Sequence, residues 1–270
     1  MHYTVAVVTN EDNEDEVEEL LAPFDENLEV EPYIYQTKQE IIDNKRKQIE
    51  SLKSDIESYA NGTYDTEKYR IYWLEDDGNF VPYWKEVLEL DKKPDEELYQ
   101  LCRKNEDDDN YDENGNELST YNPKSKWDWY SVGGRWDGYF NLKDGGSTNV
   151  AKISDIIWEG TPEEKEDAKE FWEQYIEGKL PSPGKEPVRS WYKKEYYTER
   201  YNSKEDYIER STATHPYAVV TPEGEWVAPG EMGWFSSSED GQAQAEYENW
   251  FKDFVSKHQD CYITLVDCHI

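Results

Sequence analysis

The sequence predicts an α+β fold: a mostly antiparallel sheet that includes both terminal strands, with helices packed on it and acidic insertions. Two apolar runs rich in β-branched residues stand at the ends, His2–Thr9 (HYTVAVVT) and Cys261–Cys268 (CYITLVDC). Runs of that length and composition are buried strands, and terminal strands of this kind often lie side by side. Hairpin patterns and three helices with clear starts lie between them. Strands at both ends, hairpins inside and helices between point to α+β.

Each element follows from local chemistry. Eleven acids and no Lys or Arg lie between the first strand and Lys38. Within that stretch Glu14–Leu21 predicts a short acidic helix and Val30–Tyr35 a second strand. Thr37-Lys38-Gln39-Glu40 is a capping box, in which the Thr hydroxyl and Glu carboxylate satisfy free N–H groups. Ile42, Ile49, Leu52 and Ile56 then recur at helical spacing, and Gly62 supplies the stop. Thr161-Pro162-Glu163-Glu164 starts another helix, with Pro at its first position. That helix turns Phe171, Trp172, Tyr175 and Ile176 inward and ends at Gly178. A further helix runs from about Gln242 to Lys257, with Tyr247, Trp250, Phe251 and Phe254 on one side. Ala218–Pro229 predicts a hairpin around a Pro-Glu-Gly turn. Trp127–Val132 and Trp136–Leu142 predict another, with Gly133-Gly134 at the turn. Glu106–Glu117 carries seven acids and no base, and Asn114-Gly115 is a tight-turn signal; this is an exposed acidic loop. The expected organisation is one domain over 1–270, with a helical and acidic insertion at about 36–120 and a Pro-rich connector at 179–190.

Hydrophobic residues make up 36% of the 270, yet aromatics reach 15%. A disordered acidic chain is poor in rings, so the composition predicts a folded protein with a core of rings and a few aliphatic strands. The charge is extreme: 29 Lys and Arg against 62 Asp and Glu give −33. It disfavours nucleic acid and anionic lipid as partners and favours a basic protein surface. It also suffices for DNA mimicry if gathered on one face, since 33 charges match about 56 Å of duplex. Cys102, Cys261 and Cys268 are odd in number and far apart, which fits a reducing compartment. No signal peptide or membrane-length apolar run is read in the chain. The expectations are a cytoplasmic protein, no membrane partner and no cofactor.

The usual catalytic signatures are missing: no phosphate loop, no His-Glu-x-x-His, no Gly-x-Ser-x-Gly, no Rossmann fingerprint. This weakens an enzymatic reading without removing it. Asn110, Asp112, Asn114 and Gly115 mimic the start of an EF-hand, but Tyr121 stands where a bidentate Glu is required. Cys268 and His269 are strand neighbours, so they face opposite sides and do not share a metal; His269 with Asp267 on one face is the functional alternative. The most informative motif is Lys126–Trp136 (KWDWYSVGGRW). On a regular strand Trp127, Trp129 and Ser131 point one way and Asp128, Tyr130 and Val132 the other. Arg135, beside Gly133 and Gly134, suits phosphate or carboxylate through its fork geometry. The structural alternative is that Arg135 pairs internally with Asp128 or Asp137 while the tryptophans fill the core. Pro229–Phe235 (PGEMGWF) again sets glycines beside rings, and would complete an aromatic cleft if folded against the first motif.

Three segments resemble a group of uncharacterised proteins encoded by bacteriophages and some bacteria: N-P-x-S-K-W-D-W-Y-x-x-G-G-R-W-x-G at 122–138, P-x-G-E-W-x-x-P-G-x-M-G-W-F at 222–235, and V-D-C-H-I at 266–270. The resemblance implies a phage or prophage setting and no catalytic assignment. With the charge, that setting predicts a protein of the host cytoplasm that binds and inhibits a host protein with a basic surface. A DNA-binding defence protein, met by partial DNA mimicry, is one such target. The acidic surface would include Glu14, Asp15, Glu18, Asp107, Asp108, Asp109, Asp112 and Glu113. The rival expectation is an enzyme or binding protein for a nucleotide or other anionic small molecule. There Arg135 holds the anion, Trp129 and Trp234 stack, and Asp128, His215 or His269 handles protons. A virion or assembly component is a third possibility.

Overall fold

The computed structural model describes residues 1–66, 71–75, 78–104, 106–181, 183–184, 186–230 and 241–270. In chain order the main elements are β1 (His2–Thr9), α1 (Glu14–Leu21), β2 (Tyr33–Gln36), α2 (Lys38–Ala60), α3 (Pro82–Leu90), α4 (Asp95–Cys102) and β3 (Glu117–Ser119). There follow β4 (Trp129–Val132), β5 (Phe140–Asn141), β6 (Ser147–Thr148), β7 (Val150–Lys152), α5 (Pro162–Phe171), α6 (Lys194–Arg200) and α7 (Lys204–Thr212). The last four are β8 (Ala218–Val220), β9 (Trp226–Val227), α8 (Gly241–Lys257) and β10 (Tyr262–His269). The chain divides into two compact units, residues 1–28 with 122–270, and residues 29–121.

The first unit is built on a sheet of order β4-β10-β1-β8-β9, with β7 also paired to β10. The fold is α+β, and the two terminal strands are neighbours: β1 and β10 pair antiparallel over their full length, from His2 opposite His269 to Thr9 opposite Tyr262. β8 joins β1 in parallel, while β4, β7 and β9 pair antiparallel with their neighbours. Alternation along the two central strands sorts their side chains. Ala6, Val8, Ile263 and Leu265 face a core with Phe140, Ile153, Phe251 and Phe254. Val5, Val7, Val266 and Cys268 face the opposite one, with Val17, Leu21, Phe24 and Trp127. Burying each Val, Leu, Ile or Phe among them contributes about 1.5–3 kcal/mol.

Both capping boxes form. Glu40 N–H donates to Thr37 Oγ1 at 3.2 Å while Thr37 N–H donates to Glu40 Oε2 at 2.7 Å. Thr161 and Glu164 repeat the exchange at 3.2 and 2.6 Å. α5 continues into a π-helical turn, Trp172–Ile176, that buries Trp172. The hairpin at 218–229 forms as β8 and β9.

The hairpin expected at 127–142 does not. β4 pairs with β10, a 3₁₀ turn follows at Gly134–Trp136, and β5 pairs with β6 instead. β10 offers β4 a long, mostly buried partner, and Gly133 N–H donates to Leu265 O at 2.9 Å, which turns the chain along β10. In the second unit β2 and β3 form their own two-stranded sheet, and Ile49, Leu52, Trp73 and Val87 form a core beside α2 and α3. The acidic loop folds on itself there: Asp112 Oδ1 accepts from Asn114 and Asn116 N–H at 2.9 and 2.8 Å. The Asn116 backbone bond, chiefly, holds the Asp112 carboxyl below its usual range. Asp107 and Glu113 are exposed beside it.

Candidate functional site

The apolar stripe on one face of the central strands stops at Ala6 and Leu265 and turns polar. Two residues on, the same face carries Thr4 opposite Asp267 and then His2 opposite His269. β4 extends the row, with Ser131 opposite Asp267 and Trp129 opposite His269. Alternation alone puts Asp267 and His269 on one side and Cys268 on the other. Cys268 is fully buried, and burial, then the Asp267 charge, pushes its thiol well above the ordinary range.

Two imidazole–carboxylate pairs result. His269 Nδ1 lies 2.8 Å from Asp128 Oδ1 and 3.1 Å from Oδ2; His2 Nδ1 lies 2.8 Å from Asp267 Oδ1. Burial works against the charge on Asp128, but the His269 hydrogen bond and charge, with the N–H groups of Asp128 and Trp129, outweigh it and hold its carboxyl below its usual value. An ionised carboxylate only accepts, so each Nδ1 carries the proton and each Nε2 is the ring nitrogen left for other work. The rings are in contact: His2 and His269 centroids are 5.0 Å apart, and Trp129 stacks on His269 at 5.3 Å with planes 15° apart. Trp129 is 46% exposed.

Asp267 is 2% exposed, and its second oxygen is also used: Arg135 N–H donates to Oδ2 at 3.0 Å. Gly134 makes that approach possible. Its φ is +52°, and a Cβ there would lie 2.4 Å from Asp267 Cβ and 2.7 Å from Ser131 Oγ. Gly133, at φ +69°, is covered in the same way by the Asn149 side chain. Asn149 in turn accepts from Gly138 N–H at 2.7 Å and donates to Asp137 Oδ1 at 2.7 Å. The Gly-Gly pair is therefore dictated by a buried carboxylate and an amide bracket.

Several expectations need correction. His269 pairs with Asp128 rather than with its strand-mate Asp267, because Asp267 is held by His2 from β1. Arg135 pairs with neither Asp128, whose carboxylate faces His269, nor Asp137, whose Oδ1 accepts from Asn149. Its side chain is exposed and has no hydrogen bond or ion pair among the described residues. The tryptophans do not share a fate. Trp127, just before β4, turns into the core on the other face and donates to Leu21 O at 3.2 Å, whereas Trp129 is half open to solvent. His215 makes its contacts elsewhere, 3.9 Å from Glu248, with its ring near Tyr247. Burial lowers its pKa below the ordinary value despite Glu248, which is already bonded by Arg210 at 2.7 Å. Trp234 lies outside the described residues, and so do the other residues from 231 on of the Pro229–Phe235 patch expected to wall a cleft.

His2 was hidden in the sequence because it opens a strand read only for its apolar run. Its signal was the period of two, which puts it in line with Thr4; its partner becomes visible only from the register against β10. Among the described residues no cluster of three or more His, Cys, Asp or Glu side chains is arranged to hold a metal ion, and no helix is long and apolar enough to cross a membrane. No family model, curated protein or solved structure matches the chain.

Proposed function

We propose that the protein binds an anionic, ring-bearing small molecule, a nucleotide by chemical class, at the polar end of its central sheet. The observation that carries this reading is the assembly of Trp129, His269 and His2 in ring contact, with Arg135, whose side chain no described residue neutralises, joined to the same cluster through its backbone N–H on Asp267. In a chain of net charge −33, an exposed and unpaired guanidinium on a residue whose backbone N–H is held by a buried carboxylate is a poor structural investment and a good anion site. Trp129 offers a face for a base, and the guanidinium fork of Arg135 suits phosphate. Titrating a panel of nucleotides against the difference in fluorescence between the parent and Trp129→Phe tests it. Binding is expected to weaken at least tenfold in Arg135→Ala, and equal affinity of the two proteins would exclude the site.

A second reading has its own support. Glu14, Asp15, Glu18 and Glu19 on α1 are exposed, and none has an ion pair among the described residues. Such a face suits a basic protein partner, as expected for a phage protein that blocks a host factor. Affinity capture from host lysate should recover that partner at low salt and release it as salt screens the charges.

A further inference from the structure

We infer that His2 and His269 form an acid–base pair that hydrolyses a nucleoside phosphodiester. The inference rests on the ligand-binding reading above and names the substrate class and chemistry of that same site.

Each imidazole is held as a catalytic base or acid is held: Nδ1–H tied to a carboxylate that fixes tautomer and ring orientation, Nε2 left to exchange protons. Two such rings with centroids 5.0 Å apart can serve one phosphoryl group together. Their settings differ. His2 is 14% exposed against a carboxylate that is 2% exposed, and His269 is 31% exposed against one at 29%. General acid–base work on one phosphoryl group needs one ring as base and its neighbour as acid, and the shared contact lets the two divide those roles. Arg135, whose backbone N–H donates to Asp267 Oδ2, brings a positive residue to the same end of the sheet. With one imidazole protonated, that ring and Arg135 offset the two carboxylates. This balance suits a monoanionic diester better than a dianionic monoester.

The reaction then balances with water alone. Water attacks phosphorus and passes its proton to Nε2 of the neutral ring. The P–O bond to the leaving alkoxide breaks as the imidazolium Nε2–H gives its proton to that oxygen. The products are a phosphomonoester and an alcohol, and the two rings regain their starting states by exchanging a proton with solvent. Asp128 and Asp267 are positioning residues, and Trp129 stacks on the base.

The test uses the full chain with 2′,3′-cyclic AMP, 3′,5′-cyclic AMP and the dinucleotide ApA, in EDTA, with products separated by chromatography. At least one probe should turn over with a bell-shaped dependence of kcat/KM on pH. His2→Gln and His269→Gln should each lower it by about 100-fold or more while still binding nucleotide. Asp128→Asn should displace one limb of the profile. Binding without turnover of any probe overturns the acid–base inference and leaves the binding reading standing; turnover that survives both His variants, or a wild-type profile with one limb, also overturns it. Loss of both binding and turnover in the wild type removes the two together. Should either variant fail to fold by circular dichroism, the wild-type profile alone decides.

Discussion

Gly134 is the position where one added carbon meets most resistance. A Cβ would press on Asp267 and Ser131 from a backbone at φ +52°. Gly134→Ala is expected to destabilise by about 1–3 kcal/mol from backbone strain and by about 1–3 kcal/mol more from overpacking, read as a lower urea midpoint. His215 carries a second residue-scale prediction. Burial lowers its pKa below the ordinary 6.5, so as pH falls the unfolded chain takes up the proton first. Its contribution to stability is therefore full above 6.5 and declines below it. His215→Gln should flatten the fall in urea midpoint between about pH 7 and 5. Asp128 acts lower on the scale. Its carboxyl is depressed below 3.8, so its contribution is full above that value and is lost as pH drops through the folded-state pKa. Gly133, Gly134 and Arg135 stood out in the sequence as residues with a task. That the task includes cradling Asp267 was not legible, because 132 residues separate Arg135 from its acceptor.

At the scale of elements, local chemistry was read well at the two capping boxes, whereas the Ser203 cap that opens α7 was not recognised. The Thr37 and Thr161 boxes close over three residues, and both helices start where expected. Thr161→Ala should cost about 1 kcal/mol. α8 shows the same for packing: its ring spacing put Phe251 and Phe254 on one side, and both are buried under the sheet. Phe254→Ala should cost about 3–5 kcal/mol in an unfolding titration. Expectations failed where an element had a choice of partner. β4 carries the same alternation whether it pairs with 136–142 or with β10, and only long-range burial decides between them.

For the whole molecule, the charge and the chain's division each carry an outcome. A net charge of −33 repels itself, so raising salt from about 0.02 to 0.5 M, where the Debye length falls well below 10 Å, should raise the melting temperature of the free protein. The first unit brings its two interior chain ends together with hydrogen bonds of its own. Asn122 Nδ2 donates to Pro23 O and Asp25 O at 2.8 and 2.9 Å, and Glu26 N–H donates to Trp127 O at 2.8 Å. Replacing 29–121 by a short Gly/Ser linker should therefore leave the five-stranded path of the sheet folded, with dispersed amide resonances; collapse of that dispersion would show that the second unit is needed.

Strand identity at both termini, the two capping boxes and the acidic character were all available from residue order, because periodicity, capping and charge act over a few residues. The Lys126–Trp136 motif also announced itself, through composition alone. What it does in the fold came from the antiparallel register of β1 on β10 and of β10 on β4. That register sets His2 against His269 and Trp129 over it, and leaves Arg135 unpaired. Hydrogen-bonded pairing between segments more than a hundred residues apart leaves no mark in either segment by itself, so the site had to wait for the tertiary structure.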